Sequence, residues 1–235
     1  MFRTVSACLG AMCLWVLTTQ SALASGEWQA IQSSNERRES VQAWVRDVEG
    51  SPIKEFRGQT EVPYSVLSTL ALITDPRQMC SWIFQCAAAS QPADRTADHV
   101  YLRFKGAWPS SDRDLLTRAR IRQESDGTIV VDSREVGDYP TQAGAIRIPY
   151  LRNQFRLTPL KGGWTRIEFR TRVDLGGQVP AWLANFVSTQ APVATLEAIH
   201  RQLSRQPMSD RSMAGLPAYL GSEVTIPPWH INMYQ

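Results

Sequence analysis

Residues 164–203 read WTRIEFRTRVDLGGQVPAWLANFVSTQAPVATLEAIHRQL, and the first twelve of them alternate without a break. Trp164, Arg166, Glu168, Arg170 and Arg172 fall on one side of an extended chain, and Thr165, Ile167, Phe169, Thr171, Val173 and Leu175 on the other, so the segment predicts a one-sided strand. Gly176-Gly177 then breaks the period. Pro180 suits the first position of a helix, where a missing N–H costs nothing. From there Trp182, Phe186, Val193, Leu196, Ile199 and Leu203 share a stripe at three- and four-residue steps, which predicts a long amphipathic helix with a bulky apolar face. A helix laid across the concave face of a curved antiparallel sheet can enclose an apolar cavity, the usual setting for an apolar ligand.

Working outward, the same strand code recurs upstream. Val41, Ala43 and Val45 alternate with polar neighbours, Gly50-Ser51-Pro52 supplies a turn, and Ile53 to Arg57 returns as a hairpin partner. Further strands are expected from His99 to Phe104, from Leu115 to Arg122, from Thr128 to Asp132 after the Asp126-Gly127 turn, at Gly144 to Pro149 and at Phe155 to Leu160. Two short helices interrupt them, one carrying Val66, Leu67, Leu70 and Ile73, the other opened by Asp75-Pro76 with Met79, Trp82, Ile83 and Cys86 on one face. Glu27 to Asn35 reads as a further short helix anchored by Trp28 and Ile31. Parallel βαβ repetition is missing, so the order predicts an α+β antiparallel sheet in one domain.

The N-terminal residues 1–24 read as a cleaved secretory signal: Arg3 is basic, Val5 to Leu17 is uncharged and apolar, and Ala22-Leu23-Ala24 is a small-x-small cleavage site. The apolar run falls short of the ~20 residues needed to span a bilayer. A periplasmic or secreted protein is expected, with residues 25–205 as the domain and residues 206–235 as a tail that keeps enough aromatic residues to pack back on it. Cys80 and Cys86 then stand in a compartment that permits disulfides. On one continuous helix their Cα atoms would be roughly 9 Å apart, beyond disulfide reach, which favours two packed thiols.

With 25 basic and 22 acidic side chains the formal charge is only +3, against nucleic acid as a bulk electrostatic partner. Catalytic constellations are also thin. Of His99, His200 and His230 only His99 could approach a site, and it reads as structural; Ser110-Ser111 beside Asp112 lacks a G-x-S-x-G elbow. Neither a C-x-x-C pair nor a Cys/His cluster of ligand spacing is present, so no metal or cofactor is expected.

Four pieces in order resemble the StAR-related lipid transfer (START) domain: VQAWVRDVEGSPIKEFRG at 41–58, the run from Asp75-Pro76 to Trp82-Ile83-Phe84-Gln85-Cys86, the Trp108-Pro109 loop leading to Asp112-Arg113-Asp114, and VPAWLAN at 179–185. The resemblance spans about Trp28 to Leu203, and the tail from Ser204 departs from it. It implies a helix-grip fold with an internal hydrophobic cavity, and non-enzymatic binding and transfer of a lipid or other hydrophobic ligand by a monomer that touches membranes transiently. Under that reading Leu102, Phe104, Leu115, Ile121 and Ile148 line the cavity from the sheet, joined by Phe169 and Val173. Trp182, Phe186 and Val193 line it from the helix, and the same residues could instead fill an ordinary core. Trp108 is expected near the cavity mouth, suited to a bilayer interface. Arg113 falls on the apolar side by parity; it either clamps the turn through Asp112 or Asp114, or offers its planar fork to an anionic head group. Arg147 is expected to face solvent. Two other classes stay open: an enzyme of the same broad fold, of the aromatic polyketide cyclase or hydrolase kind, and a scaffold whose cavity its own side chains fill.

Overall fold

A computed structural model describes residues 26–32, 37–106 and 110–205, and its central feature is a strongly curved sheet. The chain opens with β1 (Gln29–Gln32), β2 (Gln42–Arg46) and β3 (Glu55–Val62), passes through α1 (Val66–Thr74) and α2 (Pro76–Trp82), and returns to strands. These are β4 (Cys86–Ser90), β5 (His99–Phe104), β6 (Asp112–Gln123), β7 (Ile129–Val136), β8 (Ala145–Arg147), β9 (Tyr150–Pro159) and β10 (Thr165–Asp174), followed by α3 (Ala181–Arg205). The strand order is β1-β2-β3-β10-β9-β7-β6-β5-β4, antiparallel throughout, with β8 beside β6 as a short parallel addition. The expected α+β sheet with a long C-terminal helix is therefore present.

Two details of the expected elements change. The Glu27 to Asn35 segment contains a strand, not a helix: β1 pairs with β2, and Ile31 is 39% exposed instead of anchoring a helical face. The second helix stops at Trp82, and Gln85 takes a left-handed conformation (φ 56°) that turns the chain straight into β4. That reversal brings the Cα atoms of Cys80 and Cys86 to 4.8 Å, and the two form a disulfide, so the expected packed thiols are corrected. The bridge closes the turn that a continuous helix would have held open.

Local chemistry explains where the helices begin. Ser65 caps α1 by accepting from the Ser68 N–H at 3.2 Å, and Asp75 caps α2 by accepting from the Arg77 N–H at 2.9 Å, with Pro76 at the first helical position. Pro180 lies one step outside α3, where its carbonyl accepts from the N–H groups of Leu183 and Ala184, each at 3.0 Å.

The C-terminal half of α3 lies on a solid core. Leu196, Ile199 and Leu203 are buried against Phe56, Leu70, Ile167 and their neighbours, each full burial contributing roughly 2 kcal/mol. Gly58 on β3 makes the approach possible, since a Cβ there would lie 2.6 Å from Leu196 Cδ1 and 2.7 Å from the Phe56 ring. The N-terminal half of α3 belongs to a second cluster with Ile53, Leu115, Leu151 and Leu175. Between the halves stands Pro192, buried inside the helix and unable to donate to the Ser188 carbonyl. Ser188 instead ties the helix to the sheet, its Oγ accepting from the Lys54 N–H at 2.9 Å and donating to the Ala184 carbonyl at 2.6 Å.

Candidate ligand cavity

The space between the sheet and the N-terminal half of α3 is not filled. It holds a cavity of about 210 Å³, lined mainly by apolar side chains. Its inner wall is aromatic: Trp82 meets Phe155 edge-on at 5.9 Å between centroids, Phe155 stacks on Phe169 at 4.4 Å, and Phe169 leans on Phe56 at 6.1 Å. Each such pair adds about 1 kcal/mol beyond area burial. The wall thus separates the hollow from the solid core, and the Trp82 indole N–H is anchored on the Leu72 carbonyl at 3.3 Å.

One side of the cavity is the turn after α2. Ile83, Phe84 and Gln85 line it, held between the disulfide and α3, where Thr195 Oγ1 accepts from the Phe84 N–H at 3.3 Å and the Phe84 ring meets Phe186 at 5.3 Å. Alternation alone could not reveal this turn.

Of the residues expected to line the cavity, Leu102, Phe104, Arg113 and Ile148 do so, as do Phe169, Val173 and Phe186. Five others are placed elsewhere or outside the description. Leu115 is fully buried within the second cluster and does not reach the cavity. Ile121 and Val193 pack against the solid core instead. Trp182 is 50% exposed, because the buried face of α3 runs through Leu183 and Ala184, one step around from the bulkier stripe. Trp108 lies outside the described residues, as do the 1–24 segment and the 206–235 tail. Sequence reading missed Leu151, Asn153, Leu183 and Val187, whose periodicity is indistinguishable from that of core residues.

Besides Gln85, Lys105, Ser110, Thr171 and Thr195, two polar side chains line the cavity with a buried atom that has no partner. Arg113 is 5% exposed and reaches the cavity from β6. Its Nη1 donates to Ser110 Oγ and to the Ser111 carbonyl, while its Nε–H is buried without a partner. Burial pushes its pKa below the ordinary guanidinium value. The expected turn clamp is corrected, because both aspartates are committed elsewhere. Asp112 binds Arg103 at 2.9 Å and the Gly106 N–H at 2.9 Å. Asp114, fully buried, receives Arg147 at 2.8 Å and 3.2 Å. Burial alone would raise the Asp114 pKa, but the Arg147 hydrogen bonds and charge outweigh it and hold it below the usual carboxylate range. Arg147 is therefore not a solvent-facing residue: it locks β8 onto β6, bonds the carbonyls of Tyr139 and Pro140, and sets the neighbouring Ile148 against the cavity. No carboxylate pairs with Arg113 among the described residues. The second polar group is Asn153 on β9, which lines the cavity and whose Oδ1 is buried and unpartnered.

A mainly apolar chamber with a buried guanidinium that no carboxylate pairs and a spare acceptor can hold an amphiphile. His99 is taken up by Thr96 and Asp98, at 3.0 Å and 2.9 Å from its Nδ1, away from the cavity. Among the described residues no group of three His, Cys, Asp or Glu side chains is placed to hold a metal ion.

Comparison with known proteins gives a consistent picture. The model of a family described as the START domain matches residues 12–206. An uncharacterized protein of Pseudomonas aeruginosa is 30% identical over 163 residues, 68% of this chain and 81% of that protein. The crystal structure of a STAR-related lipid transfer protein fragment from Xanthomonas axonopodis is 29% identical with a TM-score of 0.67, covering 75% of this chain and 98% of that one. Human StAR-related lipid transfer protein 5 shares the fold at 16% identity and a TM-score of 0.66, covering 76% of this chain and 86% of its own.

Proposed function

The chain belongs to the START domain family, and from that premise we propose that it is a non-enzymatic carrier of a slender apolar molecule ending in a carboxylate or phosphate. The observation that carries this reading is Arg113: a buried guanidinium with no carboxylate beside it, facing an apolar cavity. An unpaired buried charge is costly, and an anionic ligand group would offset that cost through charge-assisted hydrogen bonds. Each methylene buried along the lining would add about 0.8 kcal/mol, enough to retain a chain without covalent chemistry. The volume limits the cargo. At about 210 Å³ the chamber lies below the ~300–1,000 Å³ of typical small-molecule sites, so it suits one chain and not two. The Cys80–Cys86 disulfide and the 1–24 segment support action in an exported, periplasmic setting, moving cargo between membranes or proteins.

Native mass spectrometry of the exported protein, with extraction of what it carries, tests the reading. One anionic, single-chain adduct per protein is expected. Arg113→Met should lose that adduct while melting no lower than the parent without ligand, since an uncompensated charge has been removed. An empty mass that also refuses added fatty acid, or unchanged occupancy in Arg113→Met, would overturn it.

A further inference from the structure

The outer face of the sheet, opposite the cavity, carries a row of four arginines set side by side on four neighbouring strands. Arg118 on β6 faces Arg134 on β7, Arg134 faces Arg152 on β9, and Arg152 faces Arg172 on β10. With strands ~4.8 Å apart the row is roughly 14 Å long. Like charges directly opposed weaken an antiparallel pair, so this arrangement works against the fold that carries it. Only the ends have partners: Arg118 meets Asp98 at 2.6 Å, and Arg172 lies over the Tyr150 ring at 5.3 Å. Arg134 and Arg152, in the middle, are exposed, and their side chains have neither hydrogen bond nor ion pair among the described residues.

The line stands in a wider basic surface, since Arg46, Arg120 and Arg170 line the same concavity, but only outside the line are acidic side chains interspersed. In the adjoining row Asp132 lies between Arg120 and Gln154, and takes a hydrogen bond from Gln154 at 2.8 Å. One row further, Glu124 binds both Arg122 and Arg156, at 2.9 Å and 2.7 Å, and beyond it Glu61 binds Arg166 at 2.9 Å. Past the Arg172 end of the line, on β3, Glu55 is taken by Arg46. All four arginines of the row line one concavity of about 590 Å³ on this face. A flat bilayer laid here would meet Glu55, Asp132 and Glu168 along with the arginines. A thin chain lying in the groove across the strands would meet guanidinium groups in series.

We propose that this groove binds a linear polyanion, a chain bearing phosphate or carboxylate groups at successive positions. The site is separate from the cavity and does not depend on what the cavity holds. Titration calorimetry of the whole protein with linear polyphosphate, against orthophosphate at equal phosphate concentration, tests it. Polyphosphate is expected to bind far more tightly and to weaken steeply with added salt. Arg134→Gln with Arg152→Gln should cost on the order of a hundredfold in affinity. The same double variant should melt no lower than the parent, which separates lost binding from lost folding. Arg122→Gln, in the neutralised row, should change affinity by less than about twofold. Polyphosphate no tighter than orthophosphate, an equal loss in Arg122→Gln, or binding to phosphatidylglycerol vesicles without binding to polyphosphate would each overturn the proposal.

Discussion

The two halves of α3 rest on the same sheet and are built from the same kinds of residue, yet one closes a solid core and the other roofs a hollow. Beyond Pro192, Leu196, Ile199 and Leu203 are buried among Phe56, Leu70 and Ile167. Before it, Leu183, Phe186 and Val187 face a chamber whose shape is held by polar devices and a covalent link: the Asp114–Arg147 pair, the Arg103–Asp112 pair and the disulfide. The lesson is that a hollow has to be propped. Apolar packing collapses onto itself, so the end that stays open is framed by directional bonds around its rim.

This contrast can be broken most directly by making one change twice. Leu196→Ala in the solid half is expected to cost about 4 kcal/mol in urea denaturation, because the neighbours cannot collapse into the gap. Leu183→Ala, whose side chain already borders empty space, should cost about 2 kcal/mol or less without ligand. Equal costs would mean that the hollow is packed like the core. Gly58→Ala sharpens the solid side, since the added methyl meets Leu196 and Phe56; a loss of about 2 kcal/mol with intact secondary structure is expected by thermal melting.

The propped end has its own signatures. Replacing Cys80 and Cys86 together by serine should cost about 2 kcal/mol, from the short loop the bridge closes, and should lower ligand retention more than it lowers the melting temperature. The smallest effect is with pH. Asp114 is held below the usual carboxylate range, so its contribution is fully present above that range and is lost as the pH falls through its depressed value. Hydrogen exchange in acid should therefore quicken first around β6 and β8, while the amides near Leu196 and Ile199 stay protected.

Much of this architecture was legible because alternation and helical period are direct consequences of one-sided burial. The run from Trp164 to Leu175 contains β10 with both faces assigned correctly, and Asp75-Pro76 marks the start of α2. What could not be read depends on contacts across the sequence. Trp182 has the bulk of a buried anchor, but the helix turns the smaller Leu183 and Ala184 inward. Arg147 looks like the polar member of an alternating strand, yet β8 has only three residues and its arginine finds Asp114 from another strand. The cysteine spacing misled for a conformational reason: Gln85 in the left-handed region converts a helical separation into a hairpin-like one. Ile121 and Val193 face the interior as expected, but parity cannot say whether the interior at that height is solid or empty.

Pro192 has a consequence for how α3 holds together as a single rod. A helix transmits stiffness from turn to turn through its backbone rungs, and here one rung is absent at the place where the solid half gives way to the roof. Ser188, one turn earlier, is fastened sideways to the chain entering β3. The helix is thus two beams sharing a joint, the lower one bedded in the core and the upper one resting on a side bracket at Lys54.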